Sequence, residues 1–333
     1  MRTVMTATVA AAALCLAAPT ISLAEDDAPV KVSGSKDAAR GVTQVTIGAL
    51  NIGFIFESID QTKASGGMMG AFGGTTKAKS TLVGVTPEMM QKIADAAYAD
   101  LSAQLTAQGY TVVDTVTAFA HPDMAKLKSQ AIPLDINIAL EKGSKGKATY
   151  FKPAALPVLV MMPGDFVGSG MSSIGLNMAS ASTSMAFNSY AKDSGVGVID
   201  ATYLIDFSET KRPGAFSFGG LKVNSGLSVT ADFSRLSLVS PAGKVTTLIV
   251  NDPVGVEGEF IDQADASSGF DKTSQAAGNV AGGLMAAAGF GGLRFGKTRK
   301  FEFTAKPGNY EEGAAKAGSL TNERLVGQLM ALR

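Results

Sequence analysis

Reactive side chains are scarce in this sequence, which has one histidine, one cysteine and no tryptophan among its 333 residues. It also lacks an excess of charge. Lys plus Arg and Asp plus Glu both come to 29, and only 17% of residues are charged against 46% hydrophobic. A chain made to bind nucleic acid, or one ending in an acidic tail, shows an imbalance of sign, and none is present. The apolar content excludes wholesale disorder. Glycine, by contrast, is abundant at 38 residues. The length allows one large domain or two small ones.

Arg2, the apolar stretch Val9 to Ala18 and the small residues of Ser22-Leu23-Ala24 before Glu25 have the layout of a bacterial secretory signal. The apolar run stops at Pro19-Thr20, short of the about 20 residues that a membrane span needs. We therefore expect residues 1–24 to be cleaved and the chain to reach the periplasm, free there or associated with the outer membrane, with no integral span. Cys15 follows Ala12-Ala13-Leu14, so the small residue that lipidation requires directly before the cysteine is missing. Cleavage then removes the only thiol. The mature chain would enter an oxidising compartment without a disulfide, and thiol catalysis, thiolate zinc and iron–sulfur ligation are excluded.

Residues 25–41 are polar and aperiodic and read as a disordered leader, so order is expected from Val42. Val42 to Ile59 reads as a long strand, and Gly66 to Gly74 as a flexible glycine-rich loop. Thr86-Pro87-Glu88 is a helix start, with apolar Met90, Ile93, Ala94, Ala97, Leu101 and Leu105 on one face and Gly109 as the stop before a new strand at Tyr110. A short helix is expected over 123–130, a strand over Leu134 to Leu140, a solvated hairpin tip at EKGSKGK and a buried strand over Leu156 to Met162. Met171, Ile174, Met178, Ala181 and Met185 recur at helical spacing and predict a buried face on a helix closed by Gly195. Strands follow over Val196 to Phe207, Leu227 to Val239 and Val245 to Val250, the last two joined by the turn Ser240-Pro241-Ala242-Gly243. Residues 262–292 read as a flexible Gly/Ala-rich insertion, before a strand over Leu293 to Thr304 and a helix over Tyr310 to Leu332. The expected fold is α/β tending to α+β. Residues 42–333 form a single domain: one mixed sheet with helices packed on it, an antiparallel hairpin region and a C-terminal helix.

Gly291 to Thr298 satisfies G-x-x-x-x-G-K-[ST] letter for letter, but a phosphate loop needs a strand before it and a helix after it. Here a Gly/Ala-rich stretch precedes and the strand-like RKFEFTAKPG follows, so we read a turn into a strand and expect no nucleotide. His121 stands before Pro122 in a turn, and without a G-x-S-x-G elbow it is read as structural. Asp252, Glu257, Glu259, Asp262, Asp265 and Asp271 form a carboxylate-rich region. It cannot meet the register of an EF-type loop, and only Asp262, Asp265 and Asp271 stand as weak calcium candidates. The paired methionines 68/69, 89/90 and 161/162, and those of the 171–185 helix, are read as core rather than Cu(I) ligands. No catalytic residue, cofactor-binding residue or cofactor is assigned.

Three stretches carry a resemblance: IGALNIGFIFES, the helix-to-strand passage AYADLSAQLTAQGYTVVD, and AKDSGVGVIDATYLIDF with the later LSVTADFSRLSLVSPAGKVTTLIV, including Arg235, Leu236, Leu238 and Gly243-Lys244. Together they resemble the curli-secretion-channel family and the related TolB N-terminal and peptidoglycan-synthase-activator modules of the bacterial envelope. The resemblance implies an envelope scaffold, regulator or export component that is not an enzyme. Unlike the family's channel members, this chain has no cysteine at the mature terminus and no two clean amphipathic hairpins, so no functional residue carries across. The expected function is that of an exported, non-catalytic envelope protein acting by protein–protein contacts, with envelope proteins or a second copy as partner. Two alternatives stay open. One is a periplasmic hydrolase using carboxylates or a bound metal, and the other a small-ligand binder with an apolar pocket beneath the methionine-bearing helix.

Overall fold

The computed structural model describes residues 28–63, 75–139, 145–165, 172–211, 222–267 and 296–333. Its strands are β1 (Val30–Gly34), β2 (Gln44–Lys63), β3 (Thr75–Val83), β4 (Thr111–Val112), β5 (Leu134–Ile138), β6 (Lys145–Phe151), β7 (Gly197–Lys211), β8 (Lys222–Val229), β9 (Arg235–Val239), β10 (Val245–Val250), β11 (Val254–Val256), β12 (Ile261–Asp265) and β13 (Gly296–Ala305). The helices are α1 (Pro87–Ala107), α2 (Thr115–Phe119), α3 (Pro122–Ala125), α4 (Ser172–Ser194) and α5 (Asn309–Ala331). All 13 strands join one mixed sheet, with the path β1-β10-β9-β7-β2-β3-β13-β12. The α/β class, the single mixed sheet and the closing helix are as expected.

β2 and β7 lie parallel at the centre, and both of their faces are covered. Along β7, Ile199, Ala201 and Tyr203 point into a core shared with Ile93, Leu101, Leu325 and Leu329 of α1 and α5. Val198 points the other way, into a second core with Phe187, Tyr190 and Ala191 of α4. Burial on both faces explains why these strands read as continuous apolar runs rather than clean alternation. Close approach does the rest. A Cβ on Gly53 of β2 would lie 2.6 Å from the Tyr150 ring and 2.9 Å from Leu204, and one on Gly48 would lie 2.6 Å from Val198 and 2.8 Å from Phe187.

The first helical layer is joined by a polar network that is buried at Tyr203 and Asn322 and half-buried at Asp100 and Ser319. Tyr203 donates to Asn322 Oδ1 (2.6 Å), Asn322 Nδ2 donates to Asp100 (2.7 Å) and to the Ala97 carbonyl (3.1 Å), and Ser319 donates to Asp100 (2.9 Å). α1 starts as expected, with the Thr86 hydroxyl accepting from Met89 N–H (3.4 Å) and Pro87 at the first position. The C′ glycine Gly109 has φ +83°. β9 and β10 form the expected antiparallel hairpin around Ser240 to Gly243. Among the described residues, no helix is long and apolar enough to cross a membrane.

Several local expectations need correction. Order begins before Val42, because Val30–Gly34 of the supposed leader is β1 and pairs antiparallel with β10; its V-x-V pattern is short but has an open edge to join. The run Leu227 to Val239 is two strands, broken where Asp232 takes φ +61°. Leu156 to Met162 is buried but is not a strand; its carbonyls at Leu159 and Val160 accept from Gln130 N–H and Asn51 Nδ2 instead. The short helix lies at 122–125 rather than 123–130. The first residues of the supposed insertion, Asp262 to Asp265, belong to β12, which pairs with β13, while the loop at Gly66 to Gly74 and residues 268–295 lie outside the described residues.

The largest correction concerns α4. Met178 and Met185 are 71% and 67% exposed, and Ala181 is exposed beside them. The helix instead buries Thr183, Phe187, Tyr190 and Ala191. Two stripes compete on this Ser/Ala-rich helix, and the one carrying Phe187 and Tyr190 removes more apolar area from water. Met171 lies outside the described residues. For the central pair, Gly53→Ala should destabilise the fold by about 1–3 kcal/mol through overpacking against Tyr150, measured as a lowered urea midpoint with unchanged slope.

Candidate functional site

Strand β7 carries charge into a place where no solvent face exists. Asp200 is fully buried, opposite Ser237 of β9, and Thr202 is opposite Arg235. Asn51 of β2 is level with Thr202; its side-chain amide donates to Thr202 Oγ1 (3.4 Å) and to the Val160 carbonyl (2.8 Å). The segment that crosses this face brings in Asp165, which is 2% exposed. Asp165 Oδ2 accepts from Met162 N–H at 2.8 Å, and Oδ1 lies 3.8 Å from Arg235 Nε. Gly164, at φ +90°, lets the guanidinium pass, since a Cβ there would fall 2.5 Å from Arg235 Nη1.

The result is two carboxyls and one guanidinium under the 159–165 segment. Burial pushes the Asp165 carboxyl up to about 6, against the Met162 N–H, Arg235 and Thr202, which favour its charge. Asp200 is raised well above the ordinary carboxylate range, first by burial and then by the nearby Asp165 charge. One cation compensates one anion. The consistent charge state at neutral pH is therefore Asp165 ionised against Arg235, with Asp200 holding a proton. Among the described residues, both Asp200 oxygens, Asp165 Oδ1 and Arg235 Nε lack a hydrogen-bond partner. Chemically, this arrangement can hold a proton and clamp the 159–165 segment to the sheet. Further along β7, Asp206 Oδ1 accepts from the N–H groups of Phe207 (2.7 Å) and Ser208 (3.1 Å), and burial pushes its carboxyl up to about 6.

Sequence reasoning missed this cluster. The available signal was a lone Asp in the apolar run GVIDATYLI, while Asp165 and Arg235 lie far from it in the chain.

The residues singled out from sequence are placed elsewhere. Asp262 and Asp265 are three apart on edge strand β12 and so point to opposite faces. Asp262 ion-pairs with Lys306 (2.9 Å), and Asp265 Oδ1 accepts from Ser267 N–H (2.9 Å); Asp271 lies outside the described residues. Glu259 also reaches Lys306, at 3.6 Å, with its side chain 92% exposed, so these carboxylates meet a lysine on the surface rather than each other in a cleft. Among the described residues, no three His, Cys, Asp or Glu side chains gather as a metal site. A depression of about 510 Å³ lies between β11 and α5, lined by Val254, Leu320 and Arg324 among others, away from α4.

His121 is indeed at a turn, as the N-cap of α3. Its Nδ1 accepts from Asp123 N–H at 3.3 Å, which leaves the proton on Nε2, 3.5 Å from Asp193. Ser189 is close by but donates to Asp123 Oδ2 at 2.6 Å, so Ser, His and Asp meet without the serine-to-histidine bond that a nucleophile requires. Of the phosphate-loop lookalike, Gly296, Lys297 and Thr298 open strand β13 rather than a helix, and its first five residues lie outside the described residues.

Compared with known protein families, with curated proteins and with solved structures, the chain matches none.

Titration of the buried acids gives stability an unusual direction. Asp165 and Asp206 have folded values near 6, above the ordinary 3.8. Their contribution is complete below the unfolded value and is lost as pH rises through about 6, with Asp200 extending the loss upward. Urea titrations should show stability falling from about pH 4 to about pH 6, and continuing to fall above that while Asp200 is present, with a shallower slope in Asp200→Asn. Arg235→Met, which strands the Asp165 charge, should cost about 3–5 kcal/mol at neutral pH.

Proposed function

We propose that the chain is an exported, non-catalytic cell-envelope protein that acts as a scaffold, assembly or secretion-associated component through protein contacts. The observation that carries this reading is the outward face of α4. Met178 and Met185 stand exposed one above the other at a seven-residue spacing, with Ala181 and Ser182 between them. No charged residue occurs from Ser172 to Ala191. Flexible thioethers on an uncharged helical face are suited to contact with another apolar protein surface.

The occupant assigned to this face is a second copy of the chain. A two-fold axis near Ala181 and Ser182 would set α4 antiparallel to its counterpart. The small residues allow close approach at the crossing, and each methionine is brought beside one from the other copy. The absence of charge favours a self-complementary contact over one steered by an oppositely charged partner. The export signal, the envelope-family resemblance and the separation of the surface carboxylates support the same reading.

The mature chain has no thiol once the signal is removed, which makes a direct test simple. Ser182→Cys should give a disulfide-linked dimer on mild oxidation, and Ala103→Cys, on α1 at the other side of the sheet, should not. Gel filtration should show the unmodified mature chain above monomer mass and Met178→Lys/Met185→Lys at monomer mass. A monomeric parent with no crosslink from position 182 would overturn the proposal.

A further inference from the structure

The cover over Asp200 is attached to the sheet by few bonds. Residues 159–165 are buried from Leu159 to Met162 and again at Asp165, yet they belong to no strand. Among the described residues their main-chain contacts are single ones. Leu159 N–H donates to Ser129 Oγ (2.9 Å), the Leu159 carbonyl accepts from Gln130 N–H (2.9 Å), the Val160 carbonyl accepts from Asn51 Nδ2 (2.8 Å), and Met162 and Asp165 close a turn on each other. Val160 and Met162 pack with Ala49 and Val198, and Ala49 is level with Asp200 in the register of β2 and β7. The segment is thus laid over the buried carboxyl. It can lift without breaking a strand pair, which makes its opening a local event.

Under this cover the ionisable groups do not balance. Asp165 and Asp200 bring two carboxyls, and Arg235, 3.8 Å from Asp165, brings one guanidinium. The elements packed around them add no second cation among the described residues. On β6, Tyr150 is buried and burial drives its hydroxyl far above the ordinary range, so it stays neutral. β10 places Thr247 and Ile249 level with Ser237 and Arg235, and α4 has no charged residue from Ser172 to Ala191. Lys31 of β1 lies beyond Ile249, where it is exposed and pairs with Asp232 at 3.7 Å. Lys152, before the segment, donates to the carbonyls of Pro153 and Leu156. With neither Asp200 oxygen hydrogen-bonded among the described residues, a proton is what neutralises that carboxyl while the segment is down.

We propose that residues 159–165 form a proton-controlled clamp: while Asp200 holds a proton the segment is locked on β7 and β9, and loss of that proton releases it from a sheet that stays folded. Burial sets the direction. Covered, Asp200 is raised well above 3.8, first by burial and then by the Asp165 charge; uncovered, it returns to the ordinary carboxylate range. Opening therefore lets a proton go, and the opening constant grows as pH rises, up to the pH at which Asp200 ionises beneath the cover. Below about pH 6 Asp165 is protonated as well, and the same linkage holds the segment more firmly. The clamp is closed in acid and loosens toward alkali.

Native-state hydrogen exchange of the mature chain reads this opening directly. Divided by the intrinsic rate of each amide, exchange at Leu159, Met162 and Asp165 should rise about tenfold per pH unit above pH 6, because one proton leaves with each opening. Ile199 and Tyr203 of β7 should stay protected over the same range. Asp200→Asn, which keeps the shape of the side chain and cannot ionise, should flatten the dependence. A reading that needs no variant is the carboxyl carbon of Asp200 followed by NMR in the unmodified chain, which should keep its protonated shift at neutral pH. Exchange at 159–165 that does not change with pH, that rises in parallel with β7, or that keeps its slope in Asp200→Asn would overturn the clamp, as would an Asp200 already ionised at pH 6. None of these readings involves the α4 contact.

Discussion

The parallel pairing of β2 with β7 beneath helices on both faces is the constraint from which the rest of the structure follows. A strand covered on both sides has no direction in which to point a polar group at water, so every polar side chain on it needs a partner or a proton. The two faces meet that demand differently. Toward α1 and α5, Tyr203, Asn322, Asp100 and Ser319 form a hydrogen-bonded network linking strand to both helices. Toward α4, Asn51 and Thr202 are satisfied in the same way, but Asp200 brings a carboxyl that burial drives toward its neutral form.

Arg235 makes the second face tolerable. It lies over Thr202 and beside Asp165, so the segment entering from 159–165 is fixed to the sheet by a charge pair and by the Met162–Asp165 turn. Buried ion pairs are a weak source of net stability because desolvation offsets most of the attraction. Their value here is positional, since Asp165 sets where the chain leaves the sheet before α4 begins. The α4 helix packs on the same face through Phe187 and Tyr190, and with those aromatics inward its methionines are left outward.

Covered and uncovered parts of the sheet also differ in charge. Where helices lie over it, the sheet is apolar with a few satisfied polar groups. Where β2, β3, β6 and β13 run past the helices, one face becomes lysine-rich, tempered by Glu57 on the core side. Among the described residues, the outward face of α4 exposes Met178 and Met185 without charge, whereas the ends of β3, β6 and β13 expose lysines.

Local signals determined what local physics controls. The Thr86-Pro87 start and Gly109 stop of α1, the Ser240 to Gly243 turn, and β2, β7 and α5 as elements could be read because caps, turn residues and apolar runs act over a few positions. The signal-like N-terminus and the single cysteine, Cys15, within it are likewise properties of sequence alone. Tertiary structure decided everything that depends on competition or distance. It chose which of two stripes on α4 is buried, recruited Val30–Gly34 to an open edge, and split Leu227 to Val239 between two pairings. It also brought Asp165, Asp200 and Arg235 together from three separate segments and aligned lysines of β3, β6 and β13 in register. Pairing partners and burial are set by the whole sheet, and no window of sequence contains them.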